Sequence, residues 1–365
     1  MIPSLGFARE IYGPEAGVVP FGMGRAYSAV ADDWLALHYN PAGLAMVNGV
    51  ELQLFDLRVS TNRDVVRGYA DAKSVTSSNS LADILNEFAG KHVGADVSNI
   101  TQLTLPHFAL ALNYNAHANV DMQNTAYPQT YTRYNKDLTI SVGGAYAIGP
   151  RKDLRIGARL DFTNRTGGMR FVGIDEIAGS RDTLVEKFKA RGSGLGGTFG
   201  LQYRLPTSGP TEIISSFVWQ DIGKTSFGNL DSPNRPTRND DNITVGGAVR
   251  FPIGGKQNRR RERRYGPVRS VNHLTFAVDL SHLNLPSAEE QLAKKLHVGA
   301  NLDLPLLSLQ LGLNQSSFTF GTSFDIGIVR VAAATYAEEL GSYAGQRRDR
   351  RYVISIGSAL GFKGF

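Results

Sequence analysis

The sequence predicts an all-β fold: a transmembrane antiparallel barrel of about fourteen strands, with a partly helical N-terminal segment in its lumen. Three observations predict it. From residue 50 onward apolar residues recur at every second position, the period of a strand with two unlike faces. The opposite face is small or polar (Gly, Ala, Ser, Thr), which suits a lumen that something fills. The links between strands sort by length, long at one end and short at the other, as in outer-membrane barrels. A soluble sandwich has no reason to sort its loops, and its apolar face must find a partner sheet.

Composition agrees. The 365 residues include 40 Gly and 14 Tyr, and no Cys, which excludes a disulfide frame and a thiolate metal site. Mean hydropathy is −0.19, and no window approaches the roughly 20 apolar residues of a spanning helix. Barrel strands give such values because they alternate. The opening "MIPSLGFAREIYG" lacks the basic start and apolar run of a signal peptide, so the expectation is an exported chain whose signal has been removed.

The N-terminal 48 residues precede the first strand and form the expected plug, with residues 49–365 as the barrel. Even eight strands enclose room for a small ligand, and fourteen enclose more than their own side chains fill. In "GMGRAYSAVADDW", Gly22 and Gly24 permit close approach to the wall, and Asp32 or Asp33 is placed to cap a following helix. In "HYNPAG", Pro41 disfavours a helical Asn40, and Gly43 permits a tight turn.

The strands follow in order. A weak one covers about 50–60. "HFALALNYN" sets Phe108, Leu110, Leu112 and Tyr114 against Ala109, Ala111 and Asn113, and a weak strand follows at 119–127. "DLTISVGGAYAIG" and "LRIGARLDFTNR" repeat the pattern with Leu138, Ile140 and Val142, then Ile156, Leu160 and Phe162. Phe199, Leu201 and Tyr203 mark the next, and 212–220 is weak. Then come Ile243 to Phe251, Leu274 to Leu280, Leu296 to Leu302, Leu307 to Leu313 and Phe318 to Ile326, a weak strand at 328–336, and Tyr352 to Phe362.

Long links are expected at about 61–105, 128–137, 165–194, 221–241, 282–294 and 337–350. Short ones centre on "NAHAN", "GPRKD", "PTSGPT", "DLPL" and "DIGI". "NQSS" is short where a long link is due, and the basic stretch Gly254–Arg269 is long where a short one is due. An even strand count leaves both chain ends on the short-turn, periplasmic side.

Charges then fall into place. Arg155, Arg159, Arg204, Arg250, Lys295 and His297 are expected to point inward, with Asp161, Asp279, Asp303 and Asp325. They pair across the wall and with the plug, or they form an electropositive path or a seat for a carboxylate head group. The basic turn, with Lys256, Arg259, Arg260, Arg261, Arg263 and Arg264, is a solvated periplasmic rim that anionic lipid heads or a soluble partner suit. With Tyr265 as its one aromatic, it does not read as a nucleic-acid site. "SLADILNEFAGKHV" (Ser80 to Val93) and "DTLVEKFKA" (Asp182 to Ala190) carry apolar faces and read as helices at the barrel mouth.

"GMGRAYSAVADDWLALHYNPAGLA" (Gly22 to Ala45) resembles the N-terminal hatch signature of the FadL family of outer-membrane transporters for hydrophobic compounds, whose relatives include PorV of type IX secretion. The resemblance covers these residues; the rest of the chain is similar in architecture only. It implies a fourteen-stranded barrel, and a hatch that contains Asp32, Asp33, Asn40, Pro41, Ala42 and Gly43. It extends weakly to porin-like barrels of predatory bacteria that ring trapped lipid. The terminal Phe365 is the kind of aromatic that barrels end on, though "GFKGF" sets it out of phase with Leu360 and Phe362.

No catalytic constellation emerges. "GSGLGG" (Gly192 to Gly197) precedes a strand and lacks the Lys-Ser/Thr ending of a phosphate loop. The seven His show no ligand spacing, so neither metal nor cofactor is implied. The function expected is binding or passage of hydrophobic, lipid-like or fatty-acid-like molecules past the hatch. Two alternatives stand beside it. Small outward residues (Gly144, Gly247, Ala300, Ala333, Ser358) suit a homo-oligomer that encloses membrane lipid. The charged loop Thr335 to Tyr352 suits a docking platform for secreted proteins.

Overall fold

The computed structural model describes residues 13–72, 91–122, 129–173, 190–229, 232, 234–253, 272–285, 291–341 and 343–363. Fourteen wall strands run β1 (Gly49–Asn62), β2 (His92–Leu105), β3 (Phe108–Met122), β4 (Gln129–Ile148), β5 (Leu154–Gly173), β6 (Arg191–Leu205) and β7 (Glu212–Gln220). After the two-residue β8 (Gly228–Asn229) come β9 (Asn242–Ile253), β10 (Asn272–Leu280), β11 (Leu296–Asp303), β12 (Leu307–Asn314), β13 (Ser317–Ile326), β14 (Val329–Glu339) and β15 (Arg348–Lys363). Each wall strand pairs antiparallel with its neighbours, β1 pairs with β15, and β5–β6 completes a closed sheet. Closure leaves no edge strand, so the paired backbone groups of the wall are satisfied without water.

Alternation sets the two faces. Phe108, Leu110, Leu112, Ile140, Leu160 and Phe162 are exposed on the outside, while Ala109, Ala111, Asn113 and Ser141 are buried inside. Outward aliphatics have no protein partner and are suited to lipid. Short turns join strands at one end: around His107, at 149–153, 206–211, 304–306 and 327–328. Gly49 and Lys363, the first and last wall residues, sit at that end too, opposite each other in register.

Two sequence expectations in this region are corrected, and they cancel in the count. β2 occupies residues placed in the long link 61–105, because its inward face (His92, Asp96, Ser98, Gln102, Thr104) is polar and its outward face mixed. "NAHAN" is no turn: β3 runs straight through it, with His117 and Asn119 facing inward and paired in register with β2 and β4. The turn lies instead at Pro106–His107, where His107 takes φ 67°. β4 and β5 also extend beyond their expected ends, so the expected links 128–137 and 165–194 shorten to 123–128 and 174–190. Likewise 337–350 shortens to 340–347. "NQSS" is the tight hairpin expected, with Gln315 and Ser316 at φ 50° and 66°.

The expected helix Ser80–Val93 loses its last residues, since Lys91 is not helical and His92 and Val93 open β2; residues 80–90 lie outside the described residues, as do residues 182–189, the basic turn and Phe365. A ten-residue helix, Arg63–Ala72, continues β1 instead.

The wall has one marked interruption. β6 pairs with β7 over 199–205, then with β8 at Gly192 and Ser193. Between them the chain turns back on itself at Asp221 and Gly223, both with positive φ, and Ile222 N–H reaches the Gly197 carbonyl at 2.9 Å. Gly194 and Gly196 lie flat against Phe227 and Thr225, where a Cβ would collide.

Candidate functional site: the filled lumen and its short-turn vestibule

The luminal segment begins on the long-loop side and descends to β1. It carries α1 (Val19–Gly22), α2 (Ala36–Tyr39) and a 3-10 turn (Pro41–Met46). These are short because the sequence breaks them. Pro20 opens α1 and Gly24 (φ 61°) follows it, while Pro41 forces Asn40 into an extended conformation (φ −154°, ψ 102°) that ends α2. The same Asn40 then caps the 3-10 turn, its Oδ1 accepting from Ala42 N–H at 3.1 Å. Its Nδ2 donates to the carbonyls of Ser28 and Leu201, both at 3.0 Å. One fully buried side chain thus ties two parts of the segment to β6.

Large buried side chains of the segment (Met23, Trp34, Leu35, Leu37, Leu44) pack with small inward wall residues (Ala109, Ala111, Ala248, Ala277). Where even Ala is too large the wall has Gly. A Cβ on Gly157 would strike the Pro41–Ala42 peptide, and one on Gly200 the Asn40 side chain. Gly22 itself lies against Gln310 Cβ (2.8 Å) and Gly321 Cα (2.9 Å) by the same measure. Phe21 stacks on Tyr336 with centroids 4.6 Å apart, flanked by the guanidinium groups of Arg25 and Arg58 at 5.0 and 5.2 Å.

Wall carboxylates and imidazoles grip the segment's backbone. Asp279 accepts from the N–H groups of Tyr27 (2.9 Å) and Ser28 (2.8 Å) and from the Ser28 hydroxyl (2.8 Å). His297 Nδ1 donates to the Gly24 carbonyl at 3.0 Å, and its Nε2 meets Ser281 Oγ at 2.8 Å. His38, on α2, hydrogen-bonds Gln102 Oε1 through Nε2 at 2.9 Å. Gln102 donates its own amide to Trp34 O and Thr104, so the proton of that bond sits on His38. Burial, helped by the nearby Arg159 guanidinium, pushes the His38 imidazole down to about 4.

On the long-loop side the segment meets a layer of ion pairs. Arg25 pairs with Glu338 at 2.6 Å, and Glu15 lies 3.5 Å from Arg58 and 3.6 Å from His117. Burial pushes the Glu15 carboxyl up, but His117 and Arg58 outweigh it and hold it below its ordinary value. His117 Nδ1 meets Asp96 at 2.9 Å, and Asp96 accepts from Ser60.

On the short-turn side lies an open vestibule of about 780 Å3, floored by Trp34, Leu35 and Met46 and rimmed by the turns at 206–211 and 304–306. Its charges pair. Asp32 takes Arg250 at 2.7 Å, and Arg204 bridges Asp153 (3.0 Å) and Glu212 (3.5 Å). Asp33 caps no helix but closes a turn: Oδ1 accepts from Leu35 N–H and Oδ2 from the Tyr27 hydroxyl.

Among solved structures, the CymD monoaromatic hydrocarbon channel gives a TM-score of 0.51 at 13% identity, over 98% of this chain and 100% of that one. The P. putida toluene transporter TodX gives 0.45 at 13% identity (96% and 99% covered), and the Ralstonia pickettii toluene transporter TbuX 0.46 at 14% (97% and 100%). No family model and no curated protein matches the sequence. The chain has the fold of the FadL-type channels.

In this barrel the six inward basic residues divide into two groups. Arg159, Arg204 and Arg250 sit on carboxylates, Arg159 with Asp161 at 2.8 Å and with the Leu37 and His38 carbonyls at 2.9 and 3.0 Å. Arg155, Lys295 and His297 donate to neutral oxygens: Gln202 Oε1, Leu285 O and Gly24 O. Lys295 belongs to a four-residue helix, Leu292–Lys295, rather than to the strand that follows. Asp303 and Asp325 line the vestibule, where Asp303 accepts from Asn301 and Ser308. These partners oppose an electropositive path through this set.

Sequence reasoning missed the long-loop ion-pair layer, because β2 was unread and His117 fell in a supposed turn. It also missed Arg165, which binds Asp137 through Nε and Nη2 and stacks 4.4 Å from Phe227. Arg165 also donates to Thr237 O and Asn239 Oδ1, and so holds the 221–241 loop in the mouth. A lone arginine on an outer strand end carries no signal for that role.

Proposed function

We propose that this chain is an outer-membrane channel that passes hydrophobic small molecules past the luminal segment, which acts as its hatch. The carrying observation is a closed fourteen-strand wall, aliphatic outside, whose lumen is filled by residues 13–48. Support comes from the fold of CymD, a monoaromatic hydrocarbon channel. The interrupted ladder between β6 and β7 is where such a molecule would leave the lumen sideways, once Thr225 and Phe227, which pack on Gly196 and Gly194, move aside.

Native mass spectrometry of the full chain, extracted from outer membranes in mild detergent, tests this first. A monomer that retains one or two fatty-acid- or hydrocarbon-sized masses supports it. A fixed oligomer that retains several phospholipids moves the function to the outer wall. Transport itself is read in asymmetric bilayers with lipopolysaccharide outside: the full chain should speed toluene entry, and equal rates with and without it would refute passage.

A further inference from the structure

The long-loop end of the outer wall carries a basic cluster that the lumen does not use. On β15 alternate residues face outward: Ile356, Ile354 and Tyr352 are exposed, and Arg350 and Arg348 continue that face beyond them. The residues between, Asp349, Arg351 and Val353, are buried on the luminal side. Arg63 follows Asn62, which pairs with Arg351, and opens the helix that lies against β1, β2 and β15. Arg63 and Arg67, one helical turn apart, are both exposed.

None of these four arginines has a carboxylate partner among the described residues. Glu339, opposite Arg348 in register, spends its oxygens on the N–H groups of Gly341, Gly345 and Arg347. Asp349 takes Arg351 and Asn62. Arg350 reaches over Ala337, its partner on β14, and donates Nη1 to the Phe318 carbonyl at 2.7 Å, which steadies its guanidinium on the wall. Arg348 and Arg350 leave one strand face about 7 Å apart, so both can close on one phosphate.

From Tyr352 to Lys363, where β15 ends, the strand climbs about 25–30 Å at the usual barrel tilt, the height of an apolar band. The arginines therefore stand level with the head groups of the long-loop leaflet. The tight hairpin at Gln315 and Ser316 keeps the rim low beside them, since β13 starts at Ser317 while β14 and β15 extend to Glu339 and Arg348. Phe318, 77% exposed, and Phe320 form an apolar flank there, with Thr335 between Phe320 and Tyr352 in register. Cations above an aliphatic and aromatic face suit a phosphorylated lipid better than a free anion.

We propose that this face binds lipid A, the phosphorylated lipid of the outer leaflet. One phosphate is held between Arg348 and Arg350, with Arg63 beside them on the adjoining strand, and an acyl chain lies along Tyr352, Ile354 and Phe320. The site rests on the outer-membrane reading with the long loops outside, and not on what the lumen carries.

The full chain in detergent is titrated with bisphosphorylated lipid A, with the same lipid stripped of both phosphates, and with phosphatidylglycerol, and bound lipid is counted by native mass spectrometry. Bisphosphorylated lipid A binds saturably, and the other two bind about tenfold more weakly or worse. Arg348→Gln with Arg350→Gln costs about tenfold or more, as loss of charge-assisted hydrogen bonds implies. Lys136→Gln, which removes an exposed cation on β4, costs nothing. Heat-modified migration on gels reports whether each variant is folded, and Arg63→Gln, also weakened, gives a second measurement if the double variant is not. Binding indifferent to the phosphates, phosphatidylglycerol bound equally well, an equal loss in Lys136→Gln, or unchanged affinity in the folded double variant (or, failing it, in Arg63→Gln) overturns the proposal and leaves the channel reading standing. A full chain that shows no heat-modifiable barrel overturns the barrel reading instead.

Discussion

At the scale of single residues, Asn40 and His38 show how the luminal segment is held without a strand of its own. Asn40 is fully buried and makes three hydrogen bonds, two of them to carbonyls on different elements. Asn40→Ala removes one donor each from the Leu201 and Ser28 carbonyls, the latter still held by Gln202 Nε2, and strands the Ala42 N–H, so docking of the segment weakens by about 1–3 kcal/mol. His38 adds a pH dependence whose sign is fixed by its environment. Its folded value of about 4 lies below the ordinary 6.5, so the undocked segment binds the proton first. Docking is therefore strongest above about pH 6.5 and weakens as pH falls toward 4, by up to about 3 kcal/mol in all. Glu15, held low, contributes in the same direction but further into acid. Trp34 lies 6.4 Å from His38, centroid to centroid, and Trp219 is the only other tryptophan. Trp34 fluorescence in a Trp219→Phe background should report release between pH 6.5 and 4, and His38→Gln should flatten that slope. An identical slope in both proteins would place the titrating group elsewhere.

At the scale of elements, the fit between the segment and the wall is made by absence of side chains. Gly157 and Gly200 leave the grooves that Pro41 and Asn40 occupy. Gly157→Ala drives a methyl into the Pro41–Ala42 peptide, which backbone on both sides prevents from yielding, whereas Gly144→Ala faces outward and is tolerated. The pair should separate in segment docking, read by limited proteolysis within residues 13–48, with the barrel intact in both. This is also where the sequence was most and least legible. Strands such as β3 and β12 declare themselves because lipid demands an aliphatic residue at every second position, while the lumen accepts small ones. The Asn-Pro-Ala-Gly turn was legible because Pro41 restricts its neighbour by sterics alone. β2 was not, because its inward residues are charged or amide groups whose partners lie on Arg351, Asp349, Trp34 and the segment itself. The pairings of Arg159, Arg204 and Arg250 were likewise closed to periodicity, which gives the side a residue faces and not what it meets there.

At the scale of the whole molecule, the wall and the luminal segment are separable in their bonding. Each wall strand is hydrogen-bonded to two others, β1–β15 and β5–β6 included, and residues 13–48 contribute no strand to that cycle. The wall therefore closes without the segment, whereas the segment has no fold without the wall: its helices are of four residues, far below the length at which an isolated helix holds. Removal of residues 1–48 should accordingly leave a heat-modifiable barrel with an open lumen. Its conductance in planar bilayers rises well above that of the full chain, since small inward residues such as Ala109, Ala111, Ala248 and Ala277 cannot fill the space they now face. The vestibule changes at the same time. Asp32 and Asp33 leave with the segment, and Arg250 loses its 2.7 Å ion pair with Asp32. The cation preference that the intact mouth imposes should thus weaken in the truncated barrel, read as a smaller reversal potential in a potassium chloride gradient. A trace unchanged in both conductance and reversal potential would mean that the segment neither blocks the lumen nor shapes the field at its mouth, and the hatch reading would fall with it.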